Sequence, residues 1–287
     1  MTTSATQDAI VAALKTQSAI DVNAEIQRRI DFIKTYLKFT GLQKLVLGLS
    51  GGVDSTTAGK LAQLACDKLN EEQAAQGKPE TYAFIAMRLP FKVQADEVDA
   101  QIAADFIQPS QLLTVNVAPV VEGMDVACSD FVAAQNLAAH KVDFSRGNNK
   151  ARARMMAQFY IANLCDALVL GTDHSAEAIT GFFTKFGDGA CDLAPLFGLN
   201  KRQVRALAAA LGAPRHLVTK VPTADLEDGN PQQPDEESLG ISYDQIDDFL
   251  EGKQIDQEVA AKLQRRYQIT EHKRQGPVTM YCDWYTS

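Results

Sequence analysis

The clearest hydrophobic pattern in the chain lies in residues 44–57, KLVLGLSGGVDSTT. An apolar run from Leu45 to Leu49 ends among glycines, which predicts a buried parallel strand followed by a tight turn. Apolar residues after the turn recur at the spacing of one helix face: Leu61, Leu64, Ala65 and Leu69. Asp54 or Ser55 is expected to cap the first turn of this helix. The segment therefore predicts a strand, a glycine-rich loop and a helix N-terminus.

Helical and strand patterns alternate along the rest of the chain. Residues 6–39 predict two helices, and Asp21 and Gly41 are the expected start and stop of the second. Further strands are predicted over 81–90, 112–117, 167–172 and 216–222, with helices over 119–137 and 200–211 among the segments between or after them. Residues 143–167 should begin as a loop and continue as a long helix, and 174–196 should combine a short helix with a polar loop. Residues 242–267 predict two short helices.

This alternation predicts one α/β fold, a doubly wound, five-stranded parallel sheet with helices on both faces. Ligands of such sheets bind at the carboxyl ends of the strands. The groups at those ends are the loop at 50–55, Arg88, the pair at 172–173 and the segment 220–223. We expect all of them to face one nucleotide.

Composition narrows the class of protein. The 287 residues are 46% hydrophobic and 22% charged with a net charge of −8, which is typical of a globular protein and argues weakly against a nucleic-acid surface. No apolar run is long enough to span a bilayer, and the N-terminus lacks the pattern of a secretory signal. The five cysteines include no C-x-x-C pair, which favours reduced thiols and a cytoplasmic location.

The loop S-G-G-x-D-S, from Ser50 to Ser55, suits a polyphosphate. It is neither a Walker A motif nor a dinucleotide fingerprint. Its glycines allow close backbone approach, its hydroxyls can donate to phosphate oxygens, and Asp54 can bind Mg²⁺. The alternative is a simple Gly-Gly turn in which the aspartate caps the helix. The loop resembles the pyrophosphate loop of N-type ATP pyrophosphatases.

Longer motifs extend the resemblance. They are LGLSGGVDST, RLP, DFSRGNNKARARM, GTDHSAEAITGFFTKFGDG, PTADL, DEESLGISYDQIDDFLEGK and TEHKRQ. Between about Asp21 and Trp284 the chain resembles the ammonia-dependent NAD synthetases, which have an adenine nucleotide α-hydrolase-like fold. The resemblance implies that ATP adenylates the nicotinate carboxylate of deamido-NAD with loss of pyrophosphate. Ammonia then displaces AMP to give NAD.

The same resemblance implies roles for individual residues. The metal ligands for Mg²⁺ would be Asp54 and Glu177. The ATP-binding residues would be Gly48, Leu49, Ser50, Gly51, Gly52, Val53, Asp54, Ser55, Arg88, Gln94, Thr172, Lys201 and Thr223. The deamido-NAD-binding residues would be Arg152, Lys185, Asp192, His272, Lys273, Phe144 and Asn148. Lys185 would also assist catalysis, and Asp188 would orient or deprotonate ammonium. His174 lies beside the site and is expected to be structural.

Several expectations concern the chain as a whole. Residues 1–287 should form one synthetase domain with a helical N-terminal segment (1–40) and a helical C-terminal tail (241–287). About 40 residues precede the first strand, and they contain no cysteine, so we expect no glutaminase domain and ammonia itself as the nitrogen donor. The family further implies a homodimer. Residues 89–95 and 221–238 should close over ATP. The rival interpretations are a tRNA-modifying adenylating ligase and a non-catalytic nucleotide-binding module.

Overall fold

The computed structural model describes residues 5–92, 97–224, 228–229 and 232–285. Within these ranges the strands are β1 (Lys44–Leu49), β2 (Ala83–Arg88), β3 (Gln111–Thr114), β4 (Ala167–Val169), β5 (Thr223–Ala224) and β6 (Gln233–Pro234). The helices are α1 (Gln7–Leu14), α2 (Val22–Thr40), α3 (Val53–Ala74), α4 (Glu97–Ile107), α5 (Ala118–Ala127), α6 (Ser129–Ala134), α7 (Ala139–Cys165), α8 (Ser175–Thr180), α9 (Lys201–Ala210), α10 (Arg215–Thr219), α11 (Asp235–Leu239), α12 (Tyr243–Leu250), α13 (Gln257–Ile269) and α14 (Glu271–Arg274).

The main sheet is parallel and has the strand order β3-β2-β1-β4. Strand β1 is central, with Lys44 opposite Ala83 of β2 on one side and Ala167 of β4 on the other. A central parallel strand is covered on both faces, which explains why the apolar residues of β1 do not alternate with polar ones. Its side chains at 45, 46, 47 and 49 are at most 4% exposed.

Helices cover both faces of this sheet. One face packs under α2, α3, α4 and α9 in the largest apolar cluster, which includes Ile33, Leu61 and Leu207. The other face packs under α5 and α7, around Val46 and Ile85. A third cluster joins α1, α8, α12 and α13 beside the sheet. The doubly wound α/β architecture is therefore confirmed, and so are the two helices predicted over 6–39.

The fifth parallel strand was predicted wrongly, because the described main sheet has four strands. Residues 216–222 instead begin with the helix α10, which Pro214 precedes as N-cap residue. Pro214 lies before the segment and Pro222 ends it, and neither has a backbone N–H for a strand ladder. Leu217 is buried in the largest cluster from this helix. The next strand, β5, pairs antiparallel with β6 and forms a separate two-stranded sheet.

Two local predictions also need correction. The loop expected at the start of 143–167 is helical, because α7 begins at Ala139 and continues through the Gly-Asn-Asn sequence to Cys165. Packing against the sheet outweighs the weak helix propensity of those residues. The acidic, proline-rich composition of 224–238 likewise predicts a mobile loop. Part of this segment lies outside the described ranges, while its end forms β6 and the first turn of α11. None of the described helices combines the length and apolarity needed to cross a bilayer.

Candidate active site

The glycine-rich loop connects the end of β1 to the start of α3. Gly51 has a φ of +74°, and a Cβ atom there would lie 2.6 Å from the backbone nitrogen of Ala100 and from the Cβ of Asp99. Glycine is therefore needed both for the left-handed backbone and for the contact with α4. Gly52 has an ordinary φ of −81° and lies on the side of the loop that faces the cavity.

Serine hydroxyls hold the loop in shape. The backbone N–H of Ser50 donates to Ser55 Oγ at 3.3 Å, and the N–H of Gly52 donates to Ser50 Oγ at 3.2 Å. Ser55 Oγ donates to the carbonyl of Gly52. The N-cap of α3 is Gly52 with no side-chain cap, so the predicted capping by Asp54 or Ser55 is wrong. The uncapped end directs N–H groups and the positive end of the helix dipole outward, which suits an anion.

The side chain of Asp54 extends from the first turn of α3 and contacts two residues from other elements. Its Oδ2 accepts a hydrogen bond from Lys201 Nζ at 2.7 Å, and its Oδ1 lies 3.3 Å from His174 Nε2. Glu177 of α8 approaches the same imidazole, with Oε1 3.6 Å from Nε2. Lys201 is 1% exposed at the start of α9, where the Asn200 and Gln203 side chains form a capping box. The first turns of α3, α8 and α9 therefore meet at one charged cluster.

Burial and charge shift the acid–base properties of this cluster. Burial acts to raise the pKa of Asp54, but Lys201 and His174 outweigh it and hold that pKa well below its ordinary value. Burial raises the pKa of Glu177 to about 8, with opposing contributions from neighbouring charges. Burial acts to lower the pKa of Lys201, but Asp54 and Glu177 raise it overall. Lys201 is therefore a permanent cation at the floor of the site.

The cluster fits a magnesium ion. Asp54, His174 and Glu177 each offer a ligand atom, and these atoms lie within 4.8 Å of one another. The Oδ1 atom of Asp54 is buried and has no hydrogen-bond partner among the described residues, so it can accept a cation. Two carboxylates, completed by phosphate oxygens and water, are a typical ligand set for Mg²⁺.

A cavity of about 660 Å³ lies over the loop and the cluster. The carboxyl ends of β1, β2 and β4 border it, together with α7, the 180–190 region, the segment 220–223 and the C-terminal helices. Its position at the strand ends is the one expected for this fold. Such a volume is sufficient for a nucleotide.

Most of the predicted ligand-binding residues come together in the lining of this cavity. They are Gly48, Leu49, Ser50, Gly52, Val53, Asp54, Ser55, Arg88, Phe144, Asn148, Thr172, Glu177, Asp188, Lys201, Thr223 and Lys273. Gly51 is not among the lining residues, because it packs behind the loop against α4. Gln94 lies outside the described residues, as do 93–95 of the predicted closing segment 89–95 and part of 221–238.

Arg88 reaches the cavity from the end of β2 with its guanidinium already bound. It donates to Gln101 Oε1 at 2.7 Å and to Thr114 Oγ1 at 2.9 Å, and it forms an ion pair with Glu97 at 2.8 Å. These contacts fix the direction of the guanidinium beside the glycine loop. Lys220 lines the same side of the cavity and pairs with Asp99 at 2.6 Å.

Four residues predicted to bind deamido-NAD lie outside the described lining. Arg152 donates to the backbone carbonyl of Lys185 at 3.3 Å, and Lys185 Nζ donates to the carbonyl of His272. These three therefore form a connected group at the outer edge of the site. Asp192 lies beneath β4, where its Oδ2 accepts the backbone N–H of Val169 at 2.7 Å.

Asp188 lines the cavity from the loop after α8. Its Oδ1 accepts the backbone N–H of Thr184 at 3.0 Å, and burial raises its pKa. Asp173 lies within electrostatic reach. Its pKa is raised to about 8 by burial first, and then by the negative charges of Asp188 and Asp54. Asp188 is exposed on the cavity side and Asp173 is partly buried, and repulsion between their two carboxylates favours the protonated form of Asp173.

The C-terminal helices close one wall of the cavity. Lys273 Nζ donates to the carbonyls of Gly181 and Phe183, each at 2.8 Å. A Cβ atom at Gly181 would overlap Thr270, so the turn after α8 and the end of α13 are in close contact. The wall therefore depends on residues far apart in sequence.

Three cavity-side features were missed from the sequence. Gln158 of α7 accepts the backbone N–H of Gly48 at 2.7 Å, and nothing in the local pattern indicates this bond. His174, expected to be structural, lies at the centre of the charged cluster with its Nε2 3.3 Å from Lys201 Nζ. Asp235 lines the cavity and bonds Tyr243. Asp235 and Tyr243 both belong to the motif DEESLGISYDQIDDFLEGK, which by itself indicates no role for either residue.

The parallel sheet, the glycine loop at a helix N-terminus and the buried carboxylates are those of a phosphate-binding α/β protein. A family model described as NAD synthase matches residues 25–277. The chain is 56% identical over 275 residues to the NH(3)-dependent NAD(+) synthetase of Pseudoalteromonas translucida, covering 95% of this chain and 98% of that protein. It therefore belongs to the NAD synthase family.

Solved structures agree with this assignment. The NAD+ synthetase from Burkholderia pseudomallei is 48% identical, with a TM-score of 0.77 over 94% of this chain and 96% of that one. The NMN synthetase from Francisella tularensis is 29% identical, with a TM-score of 0.75 over 92% of this chain and 100% of that one. The resemblance drawn from the motifs is confirmed, as are the adenine nucleotide α-hydrolase-like fold and the assignment to the C–N ligases of NAD biosynthesis.

Proposed function

We propose that the chain makes NAD from deamido-NAD, ATP and ammonia, releasing AMP and pyrophosphate. The observation that carries this proposal is the meeting, in one cavity, of the uncapped start of α3 with the cluster of Asp54, Glu177 and Lys201. A polyphosphate needs both anion-binding N–H groups and cations, and the two lie side by side here. The identity of the substrates is inferred from membership of the NAD synthase family.

In the first step a carboxylate oxygen of deamido-NAD attacks the α-phosphorus of ATP, and pyrophosphate leaves. The loop and Lys201 hold the phosphates, while Arg88 adds positive charge beside them. Asp54 and Glu177 would hold Mg²⁺, with phosphate oxygens completing its coordination. When bound, the ion neutralises the departing pyrophosphate. Because both reactants are anions, positioning and charge neutralisation provide the main catalytic contribution.

In the second step the nitrogen of ammonia attacks the activated carbonyl carbon, the acyl C–O bond of the adenylate breaks, and AMP leaves with that electron pair. The nitrogen loses protons as the amide forms. We assign Asp188 as the group that attracts ammonium and accepts a proton. This role is supported by its place in the cavity lining, where a carboxylate can attract ammonium, and by its raised pKa, which makes the carboxylate a stronger base. Lys185, Arg152 and His272 would bind deamido-NAD at the outer edge of the site, and Phe144, Asn148 and Lys273 would bind it from the cavity lining. Asp192 would contact it from its position beside β4.

We also propose that the protein works as a homodimer that pairs along α7. Met156, Tyr160 and Leu164 recur every fourth residue on this helix and are 49%, 64% and 64% exposed. Such a stripe of large apolar side chains is typical of an interface. Sedimentation equilibrium should give twice the chain mass. Replacing Tyr160 by glutamate should then yield monomers, and an unchanged dimer would exclude this face.

Three further expectations stay proposals. One synthetase domain is taken to span residues 1–287, ammonia is taken as the direct nitrogen donor, and a cytoplasmic location is supported by five free cysteines.

The decisive assay incubates the purified chain with ATP, Mg²⁺, deamido-NAD and ammonium. We expect NAD, AMP and pyrophosphate in equal amounts. Formation of ADP and phosphate would instead indicate acyl-phosphate activation, and binding of ATP without turnover would favour a nucleotide-binding module. Replacing ammonium by glutamine tests the nitrogen donor, and efficient use of glutamine would contradict the proposal. Replacing deamido-NAD by nicotinic acid mononucleotide tests the substrate, and preference for the mononucleotide would reassign it.

A further inference from the structure

The segment 235–251 (DEESLGISYDQIDDFLE) supplies only Asp235 and Ser238 to the cavity lining. Its acidic side chains nevertheless converge on three consecutive residues, Asn200 to Arg202, which form the start of α9. Lys201 is the member of this trio that lines the cavity. Besides those two lining residues, the segment therefore acts on the proposed phosphate site through one lysine.

The backbone of Lys201 is fixed from one side by α12. Asp247, which is 1% exposed, accepts the backbone N–H of Lys201 at 3.0 Å through Oδ1 and that of Arg202 at 2.7 Å through Oδ2. Glu251 accepts the side-chain amide of Asn200 at 2.9 Å. The first N–H groups of α9, which lack intrahelical partners, are thus bound by this segment.

The ammonium end of Lys201 is fixed by the first residue of α12. Nζ lies 4.9 Å from the centroid of the Tyr243 ring, within the range of a cation–π contact. The hydroxyl of Tyr243 donates to Asp235 Oδ2 at 3.0 Å, and its backbone N–H donates to Glu236 Oε1 at 2.7 Å. Tyr243 is 3% exposed and is not among the described residues that line the cavity. Its ring can therefore act on a ligand through Lys201, whereas its hydroxyl can act through Asp235, which lines the cavity.

We propose that Tyr243 and Asp247 are positioning residues for Lys201, and that the 235–251 segment exists to hold that ammonium where ATP phosphates bind. A free lysine side chain would lose rotamer freedom on binding, and the ring, Asp54 and His174 remove that freedom beforehand. The inference rests on the proposed function in taking ATP as the ligand.

The test measures the Kd for ATP with Mg²⁺ by calorimetry in four variants. Tyr243→Leu removes the ring, and we expect a Kd larger by a factor on the order of ten. Tyr243→Phe keeps the ring and should stay within about threefold of the parent. Tyr82→Leu is the matched control, because Tyr82 packs partly buried against the largest core cluster, away from the cavity. Asp247→Asn removes one of the two charged acceptors of α9 and should also raise the Kd.

The same substitutions are then placed in a Lys201→Met background. If Tyr243 acts through Lys201, Tyr243→Leu should add no further loss there. The inference would be overturned if Tyr243→Leu raised the Kd for ATP by the same factor with and without Lys201. It would also be overturned if Tyr82→Leu raised the Kd as much as Tyr243→Leu does. Should Tyr243→Leu fail to fold, Asp247→Asn carries the same comparison. Because the readout is binding, it does not depend on amidation, so a parent that binds ATP but makes no NAD would refute the proposed function and leave this test intact.

Discussion

Replacing Gly51 by alanine should strain the protein where β1 passes into α3. The new Cβ would lie 2.6 Å from Ala100 N and from Asp99 Cβ, and neither atom is the free end of a flexible side chain. A left-handed backbone costs alanine about 1–2 kcal/mol. Overpacking against α4 adds about 1–3 kcal/mol. Alanine also lowers the conformational entropy of the unfolded chain, which offsets about 0.5 kcal/mol of this destabilisation. We expect the free energy of unfolding to fall by about 1.5–4.5 kcal/mol.

Two other glycines separate these contributions. Gly41 has nearly the same φ, +75°, with nothing within 4 Å of a Cβ atom, so Gly41→Ala measures the backbone cost alone. Gly52→Ala has an ordinary φ and a nearest contact of 3.3 Å to Ser50 Oγ, so it should be stable but bind ATP weakly, since it faces the cavity. Urea unfolding followed by circular dichroism gives all three values. If Gly51→Ala loses no more stability than Gly41→Ala, the packing of the loop against α4 is wrong.

Three further predictions concern the charged groups of the cavity. Asp54→Asn should lower the rate of NAD formation at least about 100-fold. It should also destabilise the fold by about 3 kcal/mol, because the buried Lys201 loses its charged partner. Steady-state assays and urea unfolding measure the two effects, and full activity would exclude Asp54 as a metal ligand. Glu177 has a pKa raised to about 8, so it must lose a proton to bind Mg²⁺. The affinity for Mg²⁺ should therefore rise about tenfold per pH unit up to pH 8 and level off above it, and calorimetry should find this slope absent in Glu177→Gln. Asp188→Asn should lower kcat/KM for ammonium about 100-fold while the KM for ATP is unchanged; equal losses for both substrates would contradict its assigned role.

The sequence predicted the parts of the fold that depend on local periodicity. The order of β1, the glycine loop and α3 followed from one apolar run and one helical stripe, and β1 lies at the centre of the sheet as such a run requires. The segment 216–222 failed the same reasoning. Its apolar residues are too few to separate a strand from a helix. The structure forms α10 there, with Leu217 buried in the largest core cluster.

The candidate site was predictable where a motif names its residues, and not where tertiary contacts join them. The cluster of Asp54 and Glu177 came from the family resemblance, since no spacing in the chain reports that α3 and α8 meet. The bonds from Gln158 to Gly48 and from Tyr243 to Asp235 join residues whose own neighbourhoods are unremarkable. Gly51 is a partial success. The loop does require glycine there, but the reason is its close contact with α4.

The C-terminal wall of the cavity has a consequence for the newly made chain. Ser55 and the rest of the glycine loop leave the ribosome about 200 residues before Lys273, whose ammonium bonds Gly181 and Phe183. At the usual pace of translation this is a delay of roughly 10–40 seconds. For that time the nascent polypeptide carries the nucleotide-facing turn without the side of the pocket that Thr270 and Lys273 complete. Productive substrate capture must therefore await the arrival of its last helices.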